Sequence, residues 1–183
     1  MDYQERTVTL KNGKACLLRR GEETDAEVLV EYLKAVCGET RNLLREPEEV
    51  RTSVEEEAEF IRKTRENGRA LMLLAFVDGH LAGNASFAAV ADRLRVRHRC
   101  RMGISVYQKF WGMGVGTALM GEILRCAGIA GFEQMELEVV SVNTPAVGLY
   151  RKFGFEATGT VPHAFKYRDG TYGDFLLMVK KLV

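Results

Sequence analysis

The chain has 183 residues, a formal net charge of +1 and well-mixed charged residues, so one domain with a sizeable core is expected over residues 1–183. No overall field draws it to nucleic acid or an acidic membrane. The longest apolar run, over 70–77, is far short of the ~20 residues that span a bilayer, and the polar start Met1-Asp2-Tyr3-Gln4-Glu5-Arg6 is no signal peptide. Cys16, Cys37, Cys100 and Cys126 lack Cys-x-x-Cys spacing and read as reduced core thiols of a cytoplasmic protein.

In chain order, two short strands over 8–10 and 15–18 flank an Asn12-Gly13 turn and form a hairpin. Thr24-Asp25-Ala26-Glu27 has the form of a capping box ahead of Leu29, Tyr32, Leu33 and Val36 at helical spacing, with Gly38 as the stop. Ser53-Val54-Glu55-Glu56 opens a second helix ending near Asn67-Gly68. A buried-type strand over 70–77 turns at Asp78-Gly79 into a strand over 81–90, and a third runs over 100–106. A helix over 114–130, a strand over 135–140 and a short helix from Thr144-Pro145 follow. A strand from Gly154-Phe155 toward Phe165, a turn at Asp169-Gly170 and a strand over 175–180 close the chain. Antiparallel strands first, then strand–helix–strand–helix, then a hairpin predict a mixed α/β sheet, mostly antiparallel, rather than a doubly wound one.

The most informative segment is Phe110-Trp111-Gly112-Met113-Gly114-Val115-Gly116-Thr117, between the strand Gly103-Ile104-Ser105-Val106 and a helix. Glycine at every second position frees a turn whose amides can face one guest together, and a helix start favours an anion such as a pyrophosphate. A Walker-type loop needs a lysine after the last glycine, and Thr117-Ala118 supplies none. A dinucleotide fingerprint fits Gly112 and Gly114, with Glu136 and Glu138 in the acidic position. Its third glycine is displaced, and the loop follows several strands instead of opening the fold. His80, His98 and His163 show no ligand spacing and there is no Gly-x-Ser-x-Gly elbow, so neither a metal site nor a serine hydrolase is expected. Arg93, Arg95, Arg97, Arg99 and Arg101 would share one face at strand spacing and read as a solvated edge or turn, with contact to an anionic acceptor or a coenzyme phosphate as the lesser alternative.

These features together resemble the Gcn5-related N-acetyltransferase (GNAT) superfamily. The resemblance is carried by the strand ending at Val106, the turn glycines Gly114 and Gly116, and the second motif: Leu137-Glu138-Val139, Asn143, Ala146, Leu149-Tyr150 and Lys152-Phe153-Gly154-Phe155. It departs at Trp111, where the superfamily carries Arg or Gln. The resemblance implies a GNAT-like twisted sheet flanked by helices, with a splayed parallel strand pair holding acetyl-CoA as cosubstrate. It implies transfer of the acetyl group directly to a primary amine of a small molecule, peptide or protein N-terminus.

Ser105, Val106, Trp111, Gly112, Met113, Gly114, Val115, Gly116, Thr117, Asn143 and Tyr150 are the implied cofactor contacts. Glu138 is the implied base and Tyr150 the implied acid, with the Val106 amide donating to the thioester carbonyl. Each has a plainer alternative: an outward strand carboxylate for Glu138, a core tyrosine for Tyr150, a helix-start residue for Asn143. Acceptor choice is expected from Glu39-Thr40-Arg41-Asn42 and from the closing hairpin over 165–172. Glu39 either holds a cationic amine or is an ordinary loop carboxylate. Superfamily members often dimerise, so a homodimer is one expectation. The rival reading is a non-catalytic acyl-CoA-binding regulatory domain, against which Glu138 and Tyr150 together argue.

Overall fold

A computed structural model describes residues 3–183; Met1 and Asp2 of the polar N-terminal stretch lie outside the described residues. Eight strands form one sheet: β1 (Arg6–Thr9), β2 (Ala15–Arg20), β3 (Ala70–Val77), β4 (His80–Ala89), β5 (Arg99–Val106), β6 (Gln134–Val140), β7 (Glu156–Lys166) and β8 (Tyr172–Lys181). Their spatial order is β1-β2-β3-β4-β5-β6-β8-β7. Every neighbouring pair is antiparallel except β5–β6. This is the mixed, mostly antiparallel sheet that the sequence predicts.

Four helices, α1 (Ala26–Glu39), α2 (Val54–Glu66), α3 (Val115–Ile129) and α4 (Thr144–Lys152), flank it. β3 is buried on both faces, and its alternate side chains enter two separate cores. Leu71, Leu73, Ala75 and Val77 join Leu119, Met120 and Ile123 of α3. Met72 and Leu74 join Leu29, Tyr32 and Val36 of α1 and Ile61 of α2. A strand with helices on both faces therefore reads as a continuous apolar run, as 70–77 does.

The predicted capping box of α2 is present: the Ser53 hydroxyl accepts from the Glu56 amide at 3.2 Å, and the Glu56 carboxylate accepts from the Ser53 amide at 2.9 Å. At α1 the box lies two residues earlier than predicted. Asp25 accepts from the Glu22 amide at 2.8 Å and pairs with Arg19 through bonds of 2.6 and 2.7 Å. Glu22 and Asp25 take the positions predicted for Thr24 and Glu27, Arg19 holding the Asp25 carboxylate, and a short 3₁₀ turn precedes the helix. Gly38 lies inside α1, which runs one residue further to Glu39. Of the five alternating arginines only Arg99 and Arg101 are on a strand; the rest lie in the turns before β5, so they share no strand face.

Candidate active site

β5 and β6 are paired only at Arg99–Gln134, Cys100–Met135 and Arg101–Glu136. Beyond that point they part, and a groove of about 880 Å³ opens between them. The ladders on either side fix what the two walls present. The Tyr107 amide donates to the Ala82 carbonyl at 2.9 Å, and in an antiparallel ladder alternate residues point their backbone groups the same way. Gly103 and Ser105 therefore bond β4, while the backbone groups of Met102, Ile104 and Val106 face the space that β6 vacates. On the opposite wall the Ser141 amide bonds Asp174 O and the Leu182 amide bonds Glu133 O, both at 2.8 Å. That parity commits the odd residues of β6 to β8 and turns the backbone of Glu138 and Val140 toward the groove. The groove is thus the slot of a missing strand, with donors and acceptors on both sides.

At one end the slot meets the glycine turn. Gly112 and Gly114 have φ of +74° and +99°, a region costly for residues with a Cβ. The first helical bond of α3 runs from the Ala118 amide to Gly114 O at 3.0 Å. The amides of Val115, Gly116 and Thr117 are therefore left without helical partners, and no side chain caps them. Three free donors at the positive end of a 15-residue helix form an anion-binding cradle. Trp111 is half exposed, and its indole N–H donates to Val106 O at 2.7 Å. It ties the turn to the end of β5 instead of offering a cation.

All but one of the predicted site residues line the groove: Ser105, Val106, Trp111, Gly112, Gly114, Val115, Gly116, Thr117, Glu138, Asn143 and Tyr150 do, and Met113 does not. The Met113 side chain packs against the core, while its carbonyl accepts from the Lys11 amide at 3.2 Å. Tyr150 is 7% exposed, with its ring 5.9 Å from that of Phe155, and burial pushes its phenol up to about 12. Glu138 is 42% exposed, and its carboxylate lies 3.8 Å from Arg101. Asn143 caps α4, its side-chain oxygen accepting from the Ala146 amide at 3.4 Å. The Ser105 hydroxyl donates to Asn84 at 3.2 Å and receives the Tyr32 hydroxyl at 2.9 Å, which pins the floor of the groove to α1.

The groove's other end opens into a second cavity of about 1030 Å³, between the segment after α1 and the residues joining β7 to β8. Thr40, Arg41 and Asn42 line it with Phe165, Tyr167 and Arg168. The two segments singled out from the sequence face each other across this space. Glu39 lines both cavities, and its carboxylate accepts from the Gln108 amide at 2.7 Å. None of the four cysteines lines the groove; all are buried, and burial raises Cys16 and Cys126 to about 11 and Cys100 to about 12. Among the described residues no His, Cys, Asp and Glu cluster could hold a metal, and no helix is long and apolar enough to cross a membrane.

Sequence reasoning missed Lys11 and the inward-facing backbone of Met102 and Ile104, and it singled out Arg101 only as one of the alternating arginines. Arg101 had a signal in its alternation opposite Glu136 and Glu138; Lys11 had none, because a hairpin far along the chain carries it to the turn.

The sequence profile described as "Acetyltransferase (GNAT) family" matches residues 38–155. An acetyltransferase of the GNAT family from Streptococcus pneumoniae shares 31% identity and superposes with a TM-score of 0.86, over 91% of this chain and 98% of that one. The L-amino acid N-acetyltransferase AaaT of Escherichia coli K12 is 34% identical over 109 residues, 59% of this chain and 66% of that protein. An N-alpha-acetyltransferase of Sulfurisphaera tokodaii is 33% identical over 70 residues, 38% of this chain and 41% of that protein. The matches to these two curated relatives thus span two-fifths to about two-thirds of their lengths. With a family profile covering more than half of its residues, and the split β5–β6 pair beneath an uncapped α3, the chain belongs to the GNAT acetyltransferase family.

Proposed function

We propose that the protein is an N-acetyltransferase, a single catalytic domain that passes the acetyl group of acetyl-CoA directly to a primary amine. The observation that carries this reading is the slot between β5 and β6 ending on the free amides of Val115, Gly116 and Thr117. A ligand with a pyrophosphate at one end and an amide-rich arm fits that sequence of donors and acceptors. Acetyl-CoA supplies the thioester, whose sulfur leaves as the amine nitrogen bonds the acyl carbon.

The chain's own residues then divide the work. The inward amide of Val106 donates to the carbonyl oxygen as it gains charge, with that of Ile104 available beside it; one such donor is worth about 3 kcal/mol of barrier. Glu138, half open to solvent on the wall of the slot, takes the proton from the amine directly or through water. Tyr150 faces the departing sulfur. With its phenol at about 12 it stays protonated at any physiological pH, but full transfer to a thiolate of pKa ~8.5 is uphill. Its contribution is a donated hydrogen bond. Asn143 orients the pantetheine arm and caps α4. The buried, unreactive thiols support direct transfer over an acyl-cysteine route and fit a reducing compartment such as the cytoplasm.

The acceptor enters from the second cavity, past Glu39 and the 165–168 segment. A free amino acid or a peptide N-terminus is the acceptor class we favour, on the similarity to the two named relatives. Trp111 is the chain's single tryptophan and borders the groove, so its emission reports binding without any known acceptor. Titration with acetyl-CoA is expected to saturate at micromolar concentrations while NAD produces no change. Thiol release across a panel of amino acids, peptides and polyamines then identifies the acceptor. A response to NAD alone, or no amine-dependent thiol release, would sink the proposal.

A further inference from the structure

The turn at Gly112–Thr117 offers amides to a pyrophosphate but, with Trp111 bonded to Val106 O, no cation from its own sequence. Two basic residues line the groove among the described residues, Lys11 and Arg101. Arg101 belongs to the other end, where β5 still pairs with β6 and its guanidinium faces Glu138. Lys109, nearest in sequence to the turn, is turned away: its ammonium sits 5.2 Å from the Tyr107 ring centroid and 5.1 Å from that of Phe110, and it does not line the groove.

Lys11 is held against the turn by its backbone. Its amide donates to Met113 O at 3.2 Å, and a Cβ built on Gly114 would lie 3.5 Å from Lys11 Cγ and 3.9 Å from its Cδ. The stem therefore runs alongside the glycine that starts α3. The hairpin that carries it is fixed at several points. Leu10 is buried, its amide bonds Lys14 O at 2.8 Å, and Lys14 pairs with Asp78 of the β3–β4 turn at 2.5 Å. Among the described residues no hydrogen bond or ion pair occupies the Lys11 ammonium, which is exposed at the mouth of the cradle.

We propose that Lys11 is the cation that holds the coenzyme's phosphate groups, delivered in space by the β1–β2 hairpin because position 111 carries tryptophan. This inference rests on the acetyl-CoA reading above. A lysine suits the task as a mobile point charge that can reach either the pyrophosphate or the ribose phosphate.

The test compares wild type, Lys11→Gln and Lys11→Arg by Trp111 fluorescence, titrating each with acetyl-CoA and with S-acetylpantetheine, which has the thioester arm and no nucleotide. Lys11→Gln is expected to weaken acetyl-CoA binding about tenfold and to reduce its dependence on salt, the scale of one charge-assisted contact. Lys11→Arg should stay within about threefold of wild type, and S-acetylpantetheine should bind all three proteins alike. An acetyl-CoA affinity in Lys11→Gln within about twofold of wild type would overturn the proposal. So would an equal loss toward S-acetylpantetheine, which would trace the effect to the hairpin's packing. A wild-type protein that binds no acetyl-CoA would overturn the coenzyme reading and this one with it.

Discussion

Tyr150 and Glu138 line one groove in opposite surroundings, which suit the two roles proposed for them. The phenol is buried, which favours its neutral, donating form; the carboxylate is half exposed, 3.8 Å from Arg101. Tyr150→Phe removes the donor and keeps the ring against Phe155. A fall in kcat of about tenfold or more is expected, with acetyl-CoA affinity nearly unchanged; unaltered kcat would remove the residue from the chemistry. Glu138→Gln should lower kcat/KM about a hundredfold at neutral pH, and a change below about threefold would leave the proton to bulk water. Burial of Tyr150 also has a stability consequence. Its phenol ionises near 10 unfolded and at about 12 folded, so the unfolded chain sheds the proton first as pH rises. The contribution is fully present below pH 10 and is lost between about 10 and 12, roughly 2–3 kcal/mol in all. Tyr150→Phe should therefore flatten the alkaline loss of thermal stability. That these two residues would lie beside the groove was legible from the second motif through which the chain resembles its family. Lys11 was not, since nothing within a hairpin reports which distant turn it will touch.

At the level of elements, the groove depends on how closely β4 and β5 approach. Gly83 stands opposite Val106. A Cβ there would lie 2.8 Å from Ser105 O, 3.1 Å from Val106 Cγ2 and 3.2 Å from Leu119 Cδ1. A backbone oxygen locked in a ladder cannot step aside as a flexible side chain can, so the strand itself must move. Gly83→Ala is expected to cost about 1–3 kcal/mol of stability and to weaken acetyl-CoA binding by tilting the inward amides of Ile104 and Val106. An unchanged melting temperature and affinity would show that β5 has slack at this point. The strands and helices themselves were largely readable: the run over 70–77, the Ser53 box and the glycine turn each announce an element by local chemistry. The sheet order was not. β8 lies between β6 and β7, so the last hairpin inserts its second strand beside β6, and no local pattern encodes which strand of a hairpin faces inward.

Over the whole molecule, the coenzyme end and the acceptor end of the groove are held by different forces. The glycine-turn end rests on α3 and the apolar core beneath it, whereas the second cavity, the proposed acceptor entrance, is spanned by exposed charges. Arg41 reaches from beyond α1 to Asp169 at 2.8 Å and lies 4.2 Å from the Tyr167 ring centroid. Arg168 reaches back to Glu48 at 2.6 Å and Glu46 at 3.5 Å. Exposed pairs of this kind contribute at most about 1 kcal/mol each, so they set how often the loop and the hairpin stand together more than whether the protein folds. The Asp169 carboxyl is held down to about 2, by bonds from the Thr171 hydroxyl and amide and then by Arg41. A depressed carboxylate loses its charge only as pH falls through that value, so the latch stays charged across the working range and responds to salt, not to pH. Arg41→Ala combined with Asp169→Ala should raise the acceptor's KM severalfold, with acetyl-CoA affinity and melting temperature almost unchanged. The wild type should show a similar rise in KM as sodium chloride is increased, and the double variant should not. Equal salt dependence in both proteins would mean that the ion pairs close nothing and that acceptor access is governed by the apolar wall of Phe165 and Leu44 alone.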